Sequence, residues 1–95
     1  MADKYKDVDV KIVHCDISED MKLRAIEFSV KYEQTAQQKE PEKLAKNLKN
    51  DFDSHYHKNW HCVVGKNFGS DIGFYQKHMI YFFIGDLAVL LWKAG

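Results

Sequence analysis

Several features are scarce in this sequence, and their scarcity limits what the protein can be. Its 95 residues include two cysteines, Cys15 and Cys62. Two cysteines do not make the disulfide framework on which small secreted domains depend. No repeat or low-complexity segment is present, and the length is that of one compact domain. A single domain over residues 1–95 is therefore predicted.

Net charge and long apolar runs are also lacking. The 14 basic and 14 acidic residues cancel, so there is no basic field to hold a phosphate backbone or an anionic membrane. The longest apolar stretch, residues 80–92, is interrupted by Gly85 and Asp86 and is too short to span a bilayer. The amino terminus is polar and lacks the apolar core of a signal peptide. We expect a soluble, cytosolic protein with reduced thiols that binds neither nucleic acid nor membrane.

The sequence does contain a clear succession of segments in which apolar residues recur at the spacing of a strand or of a helix. Alternation over residues 8–13 predicts a half-buried strand. Residues 16–20 predict a helix start, because Ser18 can cap the first amides and the acids beside it complement the helix dipole. An apolar stripe at helical spacing then predicts a well-buried first helix. Its members are Met21, Leu23, Ala25, Ile26, Phe28, Val30 and Tyr32.

A polar connection over residues 34–40 separates this helix from a second one. Pro41 suits the first turn of that helix. Its apolar stripe has a spacing of four and consists of Leu44, Leu48, Phe52 and Tyr56.

From residue 60 onward the pattern is that of strands. Strands are predicted over residues 60–64, 70–74, 78–84 and 87–92, with a turn over 65–68 and a tight turn at Gly85 and Asp86. The order of one strand, two helices and further strands predicts an α+β fold, with both helices packed on an antiparallel sheet.

Three runs of sequence carry a resemblance to a known family. Residues 60–70 read Trp-His-Cys-Val-Val-Gly-Lys-Asn-Phe-Gly-Ser, residues 77–82 read Lys-His-Met-Ile-Tyr-Phe, and residues 88–93 read Ala-Val-Leu-Leu-Trp-Lys. Together with the helix start at residues 16–21, these runs resemble the small cytoplasmic dynein light chain family. The similarity covers nearly the whole chain, which looks like a divergent member.

The resemblance implies a non-enzymatic, cytoplasmic and cytoskeleton-associated protein of the dynein motor complex, without a cofactor. Members of the family form homodimers in which one strand of each protomer crosses to the partner's sheet. Two grooves at the seam bind extended segments of other proteins, such as the dynein intermediate chain, by strand addition. The groove residues that it implies are Asn67, Phe68, Gly69, Ser70, Asp71, Ile72, Gly73, Phe74, Tyr81, Phe83, Glu42 and Lys43. The seam residues that it implies are His61, Ser70 and Ile72.

The residues themselves give weaker support to this interpretation. A short strand over residues 70–74, flanked by glycine and little protected by Pro or Lys, would be an open edge that calls for a partner. Without the resemblance, the aromatic residues Phe68, Tyr81 and Phe83 would be assigned to the core.

Metal binding and catalysis compete with peptide binding as functions. A third alternative, a purely structural subunit, would have the same fold as the peptide-binding protein. His55, His57, His61 and Cys62 offer zinc or copper ligands, but their spacing fits no familiar finger, and adjacent residues of a strand point to opposite faces. Catalysis would need Cys62 as nucleophile with His61 or His78 as base, and an apolar strand usually holds an inert thiol. A structural subunit without an exchangeable ligand stays open.

The chain departs from the family pattern at the implied groove. Pro41 and Glu42 stand where relatives usually have Glu-Lys, and residues 71–74 read Asp-Ile-Gly-Phe in place of Tyr-Val-Thr-His. Ala94 stands where many relatives carry a serine proposed as a phosphorylation switch, so that switch is expected to be absent. We expect weaker binding of the family's Thr-Gln-Thr segments and a shift toward apolar, less acidic ones.

Overall fold

The fold consists of one four-stranded sheet and two helices. A computed structural model describes residues 8–35, 37, 40–66 and 78–94. The strands of the antiparallel sheet lie in the order β1-β3-β4-β2, which places β1 and β2 at its edges. This arrangement confirms the predicted α+β fold. In chain order the elements are β1 (Val10–Cys15), α1 (Glu19–Thr35), α2 (Pro41–Tyr56), β2 (Trp60–Lys66), β3 (Met79–Ile84) and β4 (Leu87–Lys93).

The start of α1 is capped as predicted, because the Ser18 hydroxyl accepts a hydrogen bond from the amide of Met21 at 3.2 Å. The buried face of the helix differs from the predicted stripe. Leu23 is 39% exposed, whereas Ser29 is fully buried and donates its hydroxyl to the carbonyl of Ala25 at 2.9 Å. The helix also continues to Thr35, so the predicted connection is shorter at its beginning.

The second helix follows its sequence pattern closely. Pro41 is its first residue, and Leu44, Leu48 and Phe52 are fully buried. The Phe52 ring packs edge-on against Trp60 at the start of β2, with ring centroids 4.9 Å apart. This packing fixes α2 against the sheet. No helix in the described part of the chain is long and apolar enough to cross a membrane.

Two aspartates of α2 join it to its neighbours. Asp51 accepts two hydrogen bonds from the guanidinium of Arg24 in α1, at 2.7 and 2.9 Å. Asp53 accepts the backbone amide of Trp60 at 2.8 Å and also binds the ammonium of Lys49. The pKa of each carboxyl is lowered, mainly by the hydrogen bond from Arg24 to Asp51 and by that from Lys49 to Asp53.

Strand β2 is longer than predicted. Gly65 and Lys66, expected in a turn, continue the strand and pair with Ala88 and Leu87 of β4. The turn prediction is therefore wrong at these two residues. The β3–β4 hairpin has the predicted tight turn at Gly85, whose φ is +58° and whose amide donates to the carbonyl of Asp9 at 2.8 Å.

Alternate residues of each strand face the helices and build the core with them. From the sheet these are Trp60, Ile80, Phe82, Ile84, Leu87, Val89 and Leu91, with Cys62 and Val64 at the margin. The intervening residues, which include His61, Val63, Tyr81, Phe83 and Trp92, lie on the opposite face.

Candidate functional site

The edge strand β2 is the feature on which the candidate site is built. Among the described residues it pairs with β4 alone, so no described strand lies beside its outer edge. Cys62 and Val64 turn toward the core, while His61 and Val63 are exposed on the other face. Val63 is 42% exposed, a large exposed fraction for an aliphatic side chain. Such an edge is a ready template for another strand.

A depression of about 570 Å³ lies between this edge and α2. Charged side chains of α2 stand on one side of it, and the other side is the backbone and apolar surface of β2. Lys46 is exposed, while Lys49 is half-buried and binds Asp53. The lining residues are Glu42, Ala45, Lys46, Lys49, His61, Cys62, Val63, Val64 and Trp92.

His61 forms a stacked pair with Trp92, its cross-strand partner in β4. Their ring centroids are 5.5 Å apart, and the ring planes meet at 27°. Trp92 is half-buried and His61 is exposed. The pair makes a flat aromatic platform beside Val63 on the face away from the helices.

Tyr81 and Phe83, two of the implied groove residues, lie together on β3. Their ring centroids are 5.7 Å apart, Tyr81 is 4% exposed, and Phe83 is half-buried. Strand β4 separates them from β2. Within one protomer they are therefore apart from Glu42, which lines the depression at α2.

The beginning of α2 holds the other two implied groove residues, Glu42 and Lys43. Glu40, the residue before the helix, makes no side-chain cap, and its amide donates to the Tyr32 hydroxyl. The ammonium of Lys43 lies 3.4 Å from the Glu40 carboxylate. The backbone amide of Lys43 donates to the Glu40 carbonyl at 2.9 Å. Since Pro41 has no amide hydrogen, the backbone donors of this turn begin at Glu42.

The implied groove and seam residues from Asn67 to Phe74 lie outside the described residues, so their predicted roles stay predictions. This applies to the short strand over residues 70–74, to the shared seam residues Ser70 and Ile72, and to the departures Asp71, Gly73 and Phe74.

The structure bears directly on the residues of the metal and catalytic alternatives. His61 and Cys62 point to opposite faces, as the strand pattern predicts. Burial raises the pKa of the Cys62 thiol to about 12, so it is protonated at neutral pH and a poor nucleophile. His55 contacts the guanidinium of Arg24 at 3.0 Å. In the described ranges, no three His, Cys, Asp or Glu side chains are grouped so that they could hold a metal ion.

Sequence reasoning missed part of this site. Lys46, Lys49 and Trp92 were not predicted to line it, and Val63 was not singled out. The sequence carried a signal for Val63, because it alternates with Cys62 and Val64 in a predicted strand. The pairing of His61 with Trp92 depends on the β2–β4 register, which local sequence does not specify.

The comparisons with known proteins agree with the fold. The family model for dynein light chain type 1 matches residues 9–94. A dynein light chain described as cytoplasmic, from Emericella nidulans, is 41% identical over 96 residues, which covers 99% of each chain.

Solved structures with the same fold are more distant in sequence. The dynein light chain-like domain of the Fasciola hepatica calcium binding protein FhCaBP2 superposes with a TM-score of 0.76 at 22% identity, covering 94% of each chain. The corresponding domain of CsTAL3 gives a TM-score of 0.72 at 18% identity, covering 90% of this chain and 92% of that one. The family model and the fungal relative both span almost the entire sequence, and this chain belongs to the dynein light chain family.

Proposed function

We propose that this chain is a homodimeric, non-enzymatic light chain that binds extended segments of other proteins by β-strand addition at the dimer seam. Its partners would be disordered segments, among them that of the dynein intermediate chain. It would act in the cytoplasm, associated with the cytoskeleton through the motor. No cofactor takes part in this function.

The observation that carries the proposal is the outer edge of β2, which no described strand covers and which lies beside the depression at α2. An edge strand with an exposed Val63 is an aggregation liability in a monomer unless something pairs with it. A strand of the second copy is the proposed cover. A domain of 95 residues also buries a smaller share of its surface than a larger one, so a partner subunit adds useful stability.

The separation of the implied groove residues supports a second copy as well. Glu42 belongs to the helical side and lines the depression, whereas Tyr81 and Phe83 lie on the opposite face of the sheet. The described residues of one protomer do not join them into a single groove. A groove built from α2 of one protomer and the sheet of the other would contain both groups.

The start of α2 supports an altered selectivity. Because Pro41 has no amide hydrogen, an acceptor group of a partner segment loses one potential donor there, worth ~0.5–1.5 kcal/mol. Glu42 adds a negative charge. The Lys43 ammonium lies 3.4 Å from the Glu40 carboxylate, which partly neutralises the positive charge of Lys43. The predicted result is weaker binding of Thr-Gln-Thr segments than is usual in the family.

Calorimetric titration of a Thr-Gln-Thr peptide tests the proposal. The wild-type dimer should bind it weakly, with one peptide per protomer. A matched peptide with Pro at a central position should not bind, because Pro cannot donate to a strand ladder. The Gly73→Thr, Phe74→His double variant should bind the first peptide more tightly.

Two outcomes of this titration would contradict parts of the proposal. Equal binding of the Pro-containing peptide would rule out strand addition. Tight binding to both the wild type and the double variant would show that Gly73 and Phe74 do not set selectivity. If no extended peptide binds to a verified dimer, the chain is a structural subunit without an exchangeable ligand.

A further inference from the structure

Strand β1 is the second edge of the sheet, and it carries exposed apolar side chains as β2 does. Among the described residues β1 pairs with β3 alone, so no described strand lies beside its outer edge. Ile12 and Val13 are 40% and 41% exposed, close to the 42% of Val63 on β2. By the exposure of their side chains, the two edges are equally open to an added strand.

The two edge strands differ in the regularity of their ladders. All seven residues of β2 pair with β4 without a break. In β1, Ile12 pairs with Phe82. The next paired residue is His14, opposite Tyr81, so Val13 has no pairing partner in β3. Two steps along β1 therefore match one step along β3, and this is a β-bulge at Val13.

The bulge divides β1 into two short pieces. Regular pairing covers residues 10–12 before the bulge and only residues 14–15 after it, whereas a strand usually has about three to ten residues. An extra residue also bends the strand and increases its twist, which turns the edge away from an incoming strand. The exposed Lys11 adds a charge that opposes pairing. The outer edge of β1 is therefore a poor template, in contrast to that of β2.

We propose that the bulge at Val13 confines strand addition to the β2 edge. The inference rests on the proposed function, because it supplies the reason why a chain with two edge strands builds a closed dimer. If both edges accepted strands, each protomer would offer two joining surfaces, and copies would add to one another without closure. Val13 thus determines where a strand can add, through the backbone rather than through its side chain.

Deleting one residue should remove the bulge and leave the rest of the ladder in place. Without Val13, Ile12 and His14 become neighbours, and their partners in β3 are already adjacent. Deletion of Ile12 gives the same backbone, with Val13 opposite Phe82. The matched control is Val13→Ala, because it removes most of the exposed side chain and retains the bulge.

Sedimentation velocity of the full chain, from low to high micromolar concentration, tests the proposal. The wild type and Val13→Ala should not exceed the mass of a dimer. Each deletion variant should be folded by circular dichroism and form larger, reversible species. Its weight-average mass should exceed that of the wild type about twofold or more, because pairing at β1 joins at least two assemblies. Adding Ile12→Lys to the Val13 deletion should restore the wild-type mass, since a lysine on an edge opposes strand pairing.

Three results would overturn the inference. The first is a folded deletion variant that keeps the wild-type mass at every concentration. The second is a Val13→Ala variant that assembles as the deletion variants do, because its side chain would then protect the edge. The third is that neither deletion variant folds, since the extra residue would then serve the packing of the protomer itself.

The mass of the wild type tests the proposed dimer separately. A wild type that is monomeric throughout contradicts the proposed function. The comparison between the wild type and the deletion variants still decides whether the bulge closes the β1 edge.

Discussion

The imidazole of His61 stacks on the indole of Trp92, with ring centroids 5.5 Å apart and ring planes inclined by 27°. The pair spans the edge strand β2 and its neighbour β4 on the sheet face away from the helices, and both residues line the depression beside α2. An aromatic platform next to a backbone edge that no described strand pairs with is well suited to a protein interface, because ring surface gains much from burial. In the proposed dimer this platform is covered by the second copy.

Replacing His61 with Lys should give a folded monomer at neutral pH. The position is exposed within one chain, so the protomer should fold, but a strongly hydrated ammonium is costly to bury at a seam without a partner. Sedimentation velocity at micromolar concentration measures the result. His61→Phe keeps a ring on Trp92 without the charge and should remain dimeric. A dimeric Lys variant would argue against the seam role of His61.

Replacing Asp53 with Ala should lower the free energy of unfolding by ~2 kcal/mol, because the Trp60 amide and the Lys49 ammonium both lose their acceptor. Asp86→Ala is the matched control. Its carboxylate is 71% exposed and lies 3.5 Å from Lys66, so removal should change stability by under ~1 kcal/mol. Urea unfolding at a fixed protomer concentration compares the two. Equal losses would contradict the proposed function of Asp53 in joining α2 to β2.

Acid should weaken the fold through Asp51 and Asp53. Their pKa values are lower in the folded protein than the ordinary value of 3.8. Carboxylates of this kind stabilise the folded state above their ordinary pKa, and the contribution is lost as pH falls through the lowered one. The free energy of unfolding should therefore fall below about pH 4. The free energy of unfolding of the Asp53→Asn variant should fall less steeply over that pH range. Parallel curves for wild type and variant would exclude the linkage at Asp53.

The sequence predicted helix α2 better than helix α1, and the reason is physical. Leu44, Leu48 and Phe52 repeat at a spacing of four, and all three are fully buried. In α1 the apolar residues are spread around more of the helix, so the pattern did not define which part of the stripe is covered. Ser29 lies at the buried centre because its hydroxyl bonds the Ala25 carbonyl, whereas Leu23 lies at the margin and remains 39% exposed.

The extent of β2 shows a second limit of local pattern. Gly65 disfavours strands on its own, yet it continues β2 because Ala88 is its partner in β4. That pairing depends on a segment more than twenty residues further along the chain. The same applies to the candidate site. His61 and Glu42 were implied by the family resemblance, but their common depression follows from the packing of α2 against β2.

Gly85 is expected to resist substitution for conformational reasons. Its φ is +58°, and among the described residues an added Cβ would meet the Glu33 carboxylate at 3.8 Å, an ordinary contact. Gly85→Ala should thus destabilise by ~1–2 kcal/mol, the cost of the left-handed conformation. Gly85→Asn should cost less, because Asn adopts this conformation more readily. Urea midpoints compare the three proteins. An Ala variant as stable as wild type would contradict this explanation.

The two cysteines should react very differently with a thiol reagent. Cys15 is exposed and free, whereas burial raises the pKa of Cys62 to about 12. In the native state at neutral pH, Cys15 should react quickly, and Cys62 should react far more slowly because very little of its thiol is ionised. Cys15→Ser should remove the fast phase of labelling. Rapid labelling of Cys62 in that variant would reopen the catalytic alternative.

Sedimentation equilibrium of two matched valine variants tests the seam at β2 most directly. Val63 on β2 and Val13 on β1 are 42% and 41% exposed, each on an edge strand, so an Asp at either position should cost the isolated protomer a similar amount. A charge buried without a partner at the seam is far more costly. The account predicts that Val63→Asp is monomeric at micromolar concentration, while Val13→Asp remains a dimer like the wild type. A dimeric Val63→Asp, or a wild type that is itself monomeric, would contradict it.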